Sequence, residues 1–517
     1  MKEALTRQPS SPPRRRLRRT CSAAAACLIL LLPACGGDDR AGGTAVEPLP
    51  PRSNILLITT DTLRADHLGA YGYPRDTSPT LDALAAEGVR FERPAVQWPK
   101  TGPSFASMFT ATYPKDNGIV RRIGQPLPCR FRMLAEELSD AGYQTHAVVA
   151  NAAVSHDFYF DQGFDNYIEA WEHPPEDGLD PTGAEAVTRL ATALLERIEQ
   201  RDAPYFLWVH YLDPHFPYTP PGEYSDRFQG DEHYDAGRTI PISDRPTQQM
   251  RGIGQEQVLD GQDELDFYRA RYDAEVSYND HWIGQLLDEA GERDLLGGTL
   301  TVFTSDHGES LGEHHYYFDH GRFPFQTCTR VPLILHYPGV LEPRVDPQPV
   351  ELVDLAPTIL EAAGLELPGG VWMQGRSLTP RLRGVADPGA GDDVRVDAEG
   401  RRLAFSEAGW ETNNKWQKVV QDDRFKLVFA QVNPEQKWIG GPGVRFTLYD
   451  LDNDPGETVN VGEEFPEDLE RLKRELWAWE NAEKFPVATE PAAAECGDQR
   501  EMQDETREIL KSLGYLR

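Results

Sequence analysis

The side chains best suited to chemistry in this chain stand where apolar runs stop. Asn54-Ile55-Leu56-Leu57-Ile58-Thr59-Thr60 leads directly into Asp61, and Leu300-Thr301-Val302-Phe303-Thr304-Ser305 leads into Asp306 and His307. Both runs are continuous and rich in β-branched residues, the pattern of strands buried on both faces of a parallel sheet. In such sheets the functional crevice lies at the carboxyl ends of the strands, so residues far apart in sequence can converge there. Two carboxylates and an imidazole suit a divalent cation: Mn²⁺ or Zn²⁺, or Ca²⁺ where oxygens dominate. Thr101 lies in Trp98-Pro99-Lys100-Thr101-Gly102-Pro103-Ser104-Phe105-Ala106-Ser107, a stretch that reads as a turn opening a helix. Proline is favoured in a first helical turn, a flanking Ser can satisfy orphan N–H groups, and the helix dipole there favours an anion. A cation beside that hydroxyl would help it ionise, which makes Thr101 a candidate nucleophile and a further metal ligand. A single Asp at a strand end is ordinarily a cap or a turn residue, so the weight lies in the combination.

These residues need a scaffold, and the chain supplies alternating elements. Further apolar runs occur at 147–150, 204–211 and 331–335, the second ending in Asp213-Pro214-His215-Phe216-Pro217-Tyr218. Helical spacing is evident over 78–89, 183–199 and 264–290; in the last, Leu265, Tyr268, Tyr272, Val276, Ile283, Leu286 and Leu287 form a broad apolar stripe. Alternation of this kind predicts an α/β fold with a large, mostly parallel sheet flanked by helices. Residues 222–262 are polar and rich in Gly, Asp and Gln, which predicts a surface excursion. After a Gly-, Asp- and Pro-rich stretch at 384–400 the pattern changes to short strands at 403–407, 416–420, 425–429 and 445–450, then a helix from Pro466 to Trp479. That predicts a small C-terminal antiparallel sheet with a covering helix.

A formal net charge of −32 argues against a nucleic-acid partner, because phosphate backbones demand a basic footprint. The amino terminus reads as a leader: a basic segment at Arg14-Arg15-Arg16-Leu17-Arg18-Arg19, an apolar segment from Ala23 to Leu32, then Leu32-Pro33-Ala34-Cys35-Gly36. The last of these resembles a bacterial lipobox. Residues 1–35 are thus expected to act as a lipoprotein-type signal peptide with Cys35 as the lipidated residue, and 36–52 as a flexible tether. That predicts an exported bacterial lipoprotein of the cell envelope, membrane-tethered through its lipid. Besides Cys21, Cys27 and Cys35, the remaining cysteines are Cys129, Cys328 and Cys496; one disulfide can form among them, and the sequence leaves the pairing open.

The stretch from Asn54 to His67 resembles the opening motif of the sulfatase family, within the alkaline phosphatase superfamily. Thr101-Gly102-Pro103-Ser104 stands where that family has Cys/Ser-x-Pro-Ser-Arg. Asp213 to Tyr218 and Ser305-Asp306-His307-Gly308-Glu309-Ser310-Leu311-Gly312-Glu313-His314 look like its later active-site motifs. Asp354-Leu355-Ala356-Pro357-Thr358, Gly375-Arg376-Ser377-Leu378 and Leu448 to Pro455 are similar to its downstream landmarks. The resemblance runs from about 53 to 485. It implies an alkaline phosphatase-like catalytic domain over 53–395, a C-terminal α+β subdomain over 400–485 and a tail over 486–517. It also implies one divalent metal ion held by Asp61, Asp306, His307 and Thr101, with in-line attack on a sulfuryl or phosphoryl centre. His215 becomes the candidate acid for the leaving group, with His210 and His320 as further anion contacts. Imidazoles suit both tasks near neutral pH, although each also has an ordinary structural use.

The departures from the family pattern are chemically pointed. The family converts its Cys or Ser to formylglycine, which Thr101 cannot become, so no formylglycine is expected. The motif Arg is replaced by Phe105 and the usual second Asp by Thr62, and no lysine occurs between Lys115 and Lys415. A plain Thr nucleophile resembles the arrangement in related phosphodiesterases and phosphoglycerol transferases. Phosphoryl chemistry is therefore favoured over sulfuryl, on a small-molecule, glycan-linked or lipid-linked anionic ester. The competing readings are a non-catalytic relative that binds an anionic glycan or lipid headgroup, and a structural lipoprotein.

Overall fold

The computed structural model describes residues 49–517 apart from 121–123, 232, 234–236, 244–251, 367–372, 386–394, 411–414, 431–445, 483–495, 497–499, 514 and 516–517. The leader, Cys35 and most of the tether lie outside the described residues. At the centre is an eight-stranded sheet built from β1 (Asn54–Thr60), β2 (Val89–Ala95), β3 (Gln144–Val149), β4 (Asn166–Glu169), β5 (Tyr205–Tyr211), β6 (Thr299–Ser305), β7 (Leu333–His336) and β8 (Arg344–Glu351). Their spatial order is β8-β2-β7-β6-β1-β5-β3-β4. Strand β7 runs antiparallel to both neighbours, and every other pairing is parallel.

Side chains alternate between the two faces of β1. Ile55 and Leu57 join one core with Phe105, Phe109, Val302 and Ile359, while Leu56 and Ile58 join the other with Leu84, Leu194, Leu207 and Ile283. The second face is covered by α1 (Pro79–Glu87), α3 (Ala184–Glu199) and α4 (Leu265–Glu292). The first is covered by α2 (Thr101–Thr110) and α5 (Leu355–Ala362). Apolar runs predicted five of the eight strands. The three they did not reveal, β2, β4 and β8, lie at or next to the sheet edges. There one flank needs no continuous apolar run, and Pro347 and Pro349 are tolerated in edge strand β8.

Strands β9 (Ala404–Trp410), β10 (Lys415–Gln421), β11 (Phe425–Ala430) and β12 (Phe446–Asp450) form the antiparallel sheet in sequential order, followed by α6 (Pro466–Glu480). Phe405 stacks on Trp479 with centroids 4.8 Å apart, and both belong to the core under the main sheet. Buried charges also join the two sheets. Asp354 accepts hydrogen bonds from Arg395, from Arg402 Nη2 at 2.9 Å and from the Arg376 backbone at 2.8 Å. Beyond α6, a disulfide joins Cys129 to Cys496, and α7 (Asp504–Ser512) buries Thr506 and Leu510. Cys328 is a buried free thiol. Among the described residues no helix is long and apolar enough to cross a membrane.

Candidate active site

Strand register creates the site. Thr60 pairs with Ser305 on one side and Tyr211 on the other, so the next residues of β1 and β6, Asp61 and Asp306, emerge side by side. The Asp61 backbone N–H still donates to Tyr211 O at 2.9 Å, and Ser305 Oγ donates to Thr60 O at 2.8 Å. His210 sits one step back on β5, opposite Thr59. Thr62 then turns the chain with φ 54°, an uncommon conformation for a β-branched residue, and its N–H donates to Asp306 Oδ1 at 3.3 Å. Gly308 is needed next: a Cβ there would meet Thr327 O at 2.1 Å.

Helix α2 brings the hydroxyl. Lys100 is its extended N-cap residue, and no side chain caps it. Ser104, expected to cap the first turn by accepting from its N–H groups, instead ties the helix to the second acid by donating from Oγ to Asp306 O at 2.6 Å. Thr101 Oγ1 lies 3.3 Å from His307 Nε2 and 3.5 Å from Asn151 Nδ2. His307 donates from Nδ1 to the Gly308 carbonyl at 3.0 Å, so its Nε2 lone pair faces Thr101.

The donor set fits a divalent cation. Asp61, His210 and Asp306 offer ligand atoms all within 4.8 Å of one another. Among the described residues, Asp61 Oδ1, Asp306 Oδ2 and His210 Nε2 are buried with no hydrogen-bond partner, a costly state that a cation would relieve. His307 Nε2 is close by, 3.4 Å from Asp306 Oδ2 and 3.9 Å from Asp61 Oδ1. Burial favours a neutral Asp61, yet the His210 ring, whose Nε2 lies 3.6 Å from Asp61 Oδ2, and the charges of His215 and His307 hold its carboxyl at about 2. Asp306 goes the other way, raised well above the usual carboxylate range by burial and by the charge of Asp61. Burial brings the His307 ring down to about 4 against the attraction of Asp61.

A row of imidazoles borders this centre. The His320 and His307 rings lie 4.1 Å apart, and His215 follows at 5.5 Å from His320. Glu309, fully buried, holds His320 by its Nδ1 at 3.1 Å. His215 donates from Nδ1 to Phe216 O at 2.6 Å. Phe105 fills the space beside His210, with ring centroids 4.8 Å apart.

Residues 53–365 of the chain match the sulfatase family. The chain belongs to that family. Residues 312–482 also match the family described as N-sulphoglucosamine sulphohydrolase, C-terminal. An arylsulfatase of Clostridium perfringens is 25% identical over 486 residues, covering 82% of this chain and 94% of its own. The iduronate 2-sulfatase of Mus musculus is 29% identical over 401 residues, covering 63% and 71%. The solved structure of BT4656 in complex with its substrate D-glucosamine-2-N,6-O-disulfate matches with a TM-score of 0.64 at 22% identity, over 83% of this chain and 99% of that one. A phosphonate monoester hydrolase from Silicibacter pomeroyi matches with a TM-score of 0.62 at 24% identity, over 82% and 94%. These last two likenesses are of fold.

In this sulfatase-family hydrolase, Asp61, Thr101, Asp306, His307, His210, His215 and His320 all come to one rim of the sheet. His210, read from sequence as an anion contact, shares the cluster of Asp61 and Asp306. His314 lies elsewhere, stacked on Phe325 at 3.7 Å. Sequence reasoning missed Asn151, whose Nδ2 donates to Asp61 Oδ2, and Tyr515, whose hydroxyl reaches His215 Nε2 at 2.7 Å. Asn151 had a weak signal, since it comes directly after an apolar strand, as Asp61 and Asp306 do. Tyr515 had none. Glu309 was visible within the Asp306-His307-Gly308-Glu309 motif but carried no assigned role.

Proposed function

We propose that this sulfatase-family hydrolase cleaves anionic esters through unmodified Thr101, with phosphate and phosphonate esters preferred over sulfate esters. The observation that carries the reading is the placement of Thr101 Oγ1 at a helix N-terminus, 3.3 Å from His307 Nε2 and beside a cluster of unpaired carboxylate oxygens. Asp61, Asp306 and His307 with Thr101, joined by His210, would hold the cation. Two imidazole donors favour Mn²⁺ or Zn²⁺ over Ca²⁺. A divalent cation held there supplies positive charge that favours ionisation of the hydroxyl and offsets the charge of the ester.

Thr101 loses its proton to solvent and attacks phosphorus in line. The new Oγ1–P bond forms as the bond to the leaving oxygen breaks, and that oxygen takes its proton from the His215 side of the pocket. Water then attacks phosphorus and returns free Thr101. Asn151 Nδ2–H and the first turn of α2 face the charge that develops. Phosphorus is the better centre for this cycle, because a phospho-threonine is cleared by water whereas a sulfo-threonine resists it.

The test is turnover of aryl sulfate, phosphate monoester, phosphodiester and phosphonate substrates by Mn²⁺- or Zn²⁺-loaded protein. Thr101→Ala is expected to lower kcat by about 10⁴-fold or more with metal content near normal. Ester cleavage that survives this substitution refutes the nucleophile. Metal-loaded protein that turns over none of the four refutes the enzyme and supports an anion-binding relative.

A further inference from the structure

A residue from the carboxyl-terminal segment enters this site, and the segment is firmly attached. The Cys129–Cys496 disulfide fixes its start. Arg500 Nη1 then donates to His156 O at 2.7 Å and Asp161 Oδ1 at 2.6 Å, and the Gln503 backbone donates to Asp157 Oδ2 at 2.8 Å. Helix α7 buries Leu510, and the Tyr515 N–H folds back onto Leu510 O at 2.8 Å. These anchors make Tyr515 part of the wall of the site.

Its hydrogen bonds have a definite direction. The Nδ1 of His215 is committed as donor to the Phe216 carbonyl, so in the neutral ring Nε2 is an acceptor. The Tyr515 hydroxyl, 2.7 Å away, donates to it, and the Tyr515 oxygen receives Asn151 Nδ2–H at 3.3 Å. The same Asn151 nitrogen is 3.5 Å from Thr101 Oγ1, so the two hydroxyls flank one amide group. With Nε2 engaged in this way, the phenol stands between His215 and the Asn151 amide that also reaches Thr101.

We propose that Tyr515 hands the proton to the leaving group, with His215 behind it as the proton store. As the ester P–O or S–O bond breaks, its electron pair stays on the departing oxygen, which takes the proton of the Tyr515 hydroxyl. The Nε2 proton of protonated His215 moves to the phenol oxygen. Tyr515 ends neutral, and His215 ends as the neutral ring with Nε2 accepting. The inference rests on the ester-cleavage reading and adds a specific residue to it.

Tyr515→Phe keeps the ring against His215, where the centroids are 5.3 Å apart, and removes only the hydroxyl. Proton donation matters most for poor leaving groups. The variant is therefore expected to lose about 10²-fold or more in kcat on alkyl esters and about 3-fold or less on nitrophenyl esters, at unchanged melting temperature. Equal loss on both ester types, no loss, or faster turnover refutes the inference, the last by making the phenol an obstruction. Thr101→Ala keeps the two readings apart. If it does not abolish turnover, the nucleophile assignment fails; if it does, the leaving-group dependence of Tyr515→Phe judges Tyr515 alone.

Discussion

Metal loading should stabilise this protein more strongly as pH rises. Asp61 Oδ1 and Asp306 Oδ2 are buried without partners, and the ligand atoms of Asp61, His210 and Asp306 lie within 4.8 Å of one another. Two carboxylate charges at that separation repel by about 3 kcal/mol at an effective dielectric constant near 20. Asp61 is held low at about 2, and Asp306 is raised by burial and by the charge of Asp61, so the metal-free pair keeps one proton where an unfolded chain would keep none. The folded form then binds more protons than the unfolded form, and the pair's contribution to stability falls as pH rises above the ordinary carboxylate range. A bound cation displaces that proton and removes the penalty. While the pair still holds its proton, apparent metal affinity should climb about tenfold per pH unit, and free cation at about 1,000 times Kd should add about 4 kcal/mol. Thermal unfolding at about pH 6, 7 and 8, in Mn²⁺ or Zn²⁺ against chelator, reads the effect. Calorimetry in buffers of different ionisation enthalpy counts the released proton. A metal-induced shift that shrinks with rising pH, or metal binding without proton release, refutes the reasoning.

Two further substitutions probe what positions the site. Asp354→Ala leaves the Arg395 and Arg402 guanidiniums buried without this partner and should cost about 3–5 kcal/mol in urea unfolding; a cost below about 1 kcal/mol would mean that this network does not hold the two sheets together. Gly308→Ala puts a Cβ 2.1 Å from Thr327 O, so the turn carrying His307 must move. It should lower metal affinity at least about tenfold while the C-terminal sheet stays folded, as titration together with circular dichroism would show; unchanged affinity would mean that His307 does not contribute to holding the cation.

The rim of the sheet was legible in the sequence because buried parallel strands have a distinctive composition, and an acidic side chain directly after the last apolar or β-branched residue marks where such a strand ends. Asp61 and Asp306 could be paired in advance for that reason. The edge strands were less visible: β2 and β8 alternate, carry charges and contain prolines. Side-chain surroundings were hidden wherever they depended on which neighbour a strand acquires. His210 reaches Asp61 because β5 pairs with β1 at Thr59, a register that composition does not encode. Tyr515 is the extreme case, since it reaches His215 across 300 residues through a disulfide and a docked helix.

Under the proposed Thr101 nucleophile, the two departures from the family motif are physically consistent with each other. A formylglycine hydrate carries a second hydroxyl and gains from a charged donor beside it, the task of the family's Arg. Here that position is Phe105, whose ring packs against His210 at 4.8 Å and Trp208 at 4.9 Å and is fully buried. An aromatic ring there donates no hydrogen bond and buries well, which suits a neighbour with one hydroxyl and a methyl group. An Arg at position 105 would place a guanidinium between the rings of His210 and Trp208, where its burial costs free energy unless an acid pairs with it. In the reading proposed above, an Arg at 105 would have no second hydroxyl to serve, and Thr101 relies instead on the cation that the acids at the strand ends would hold.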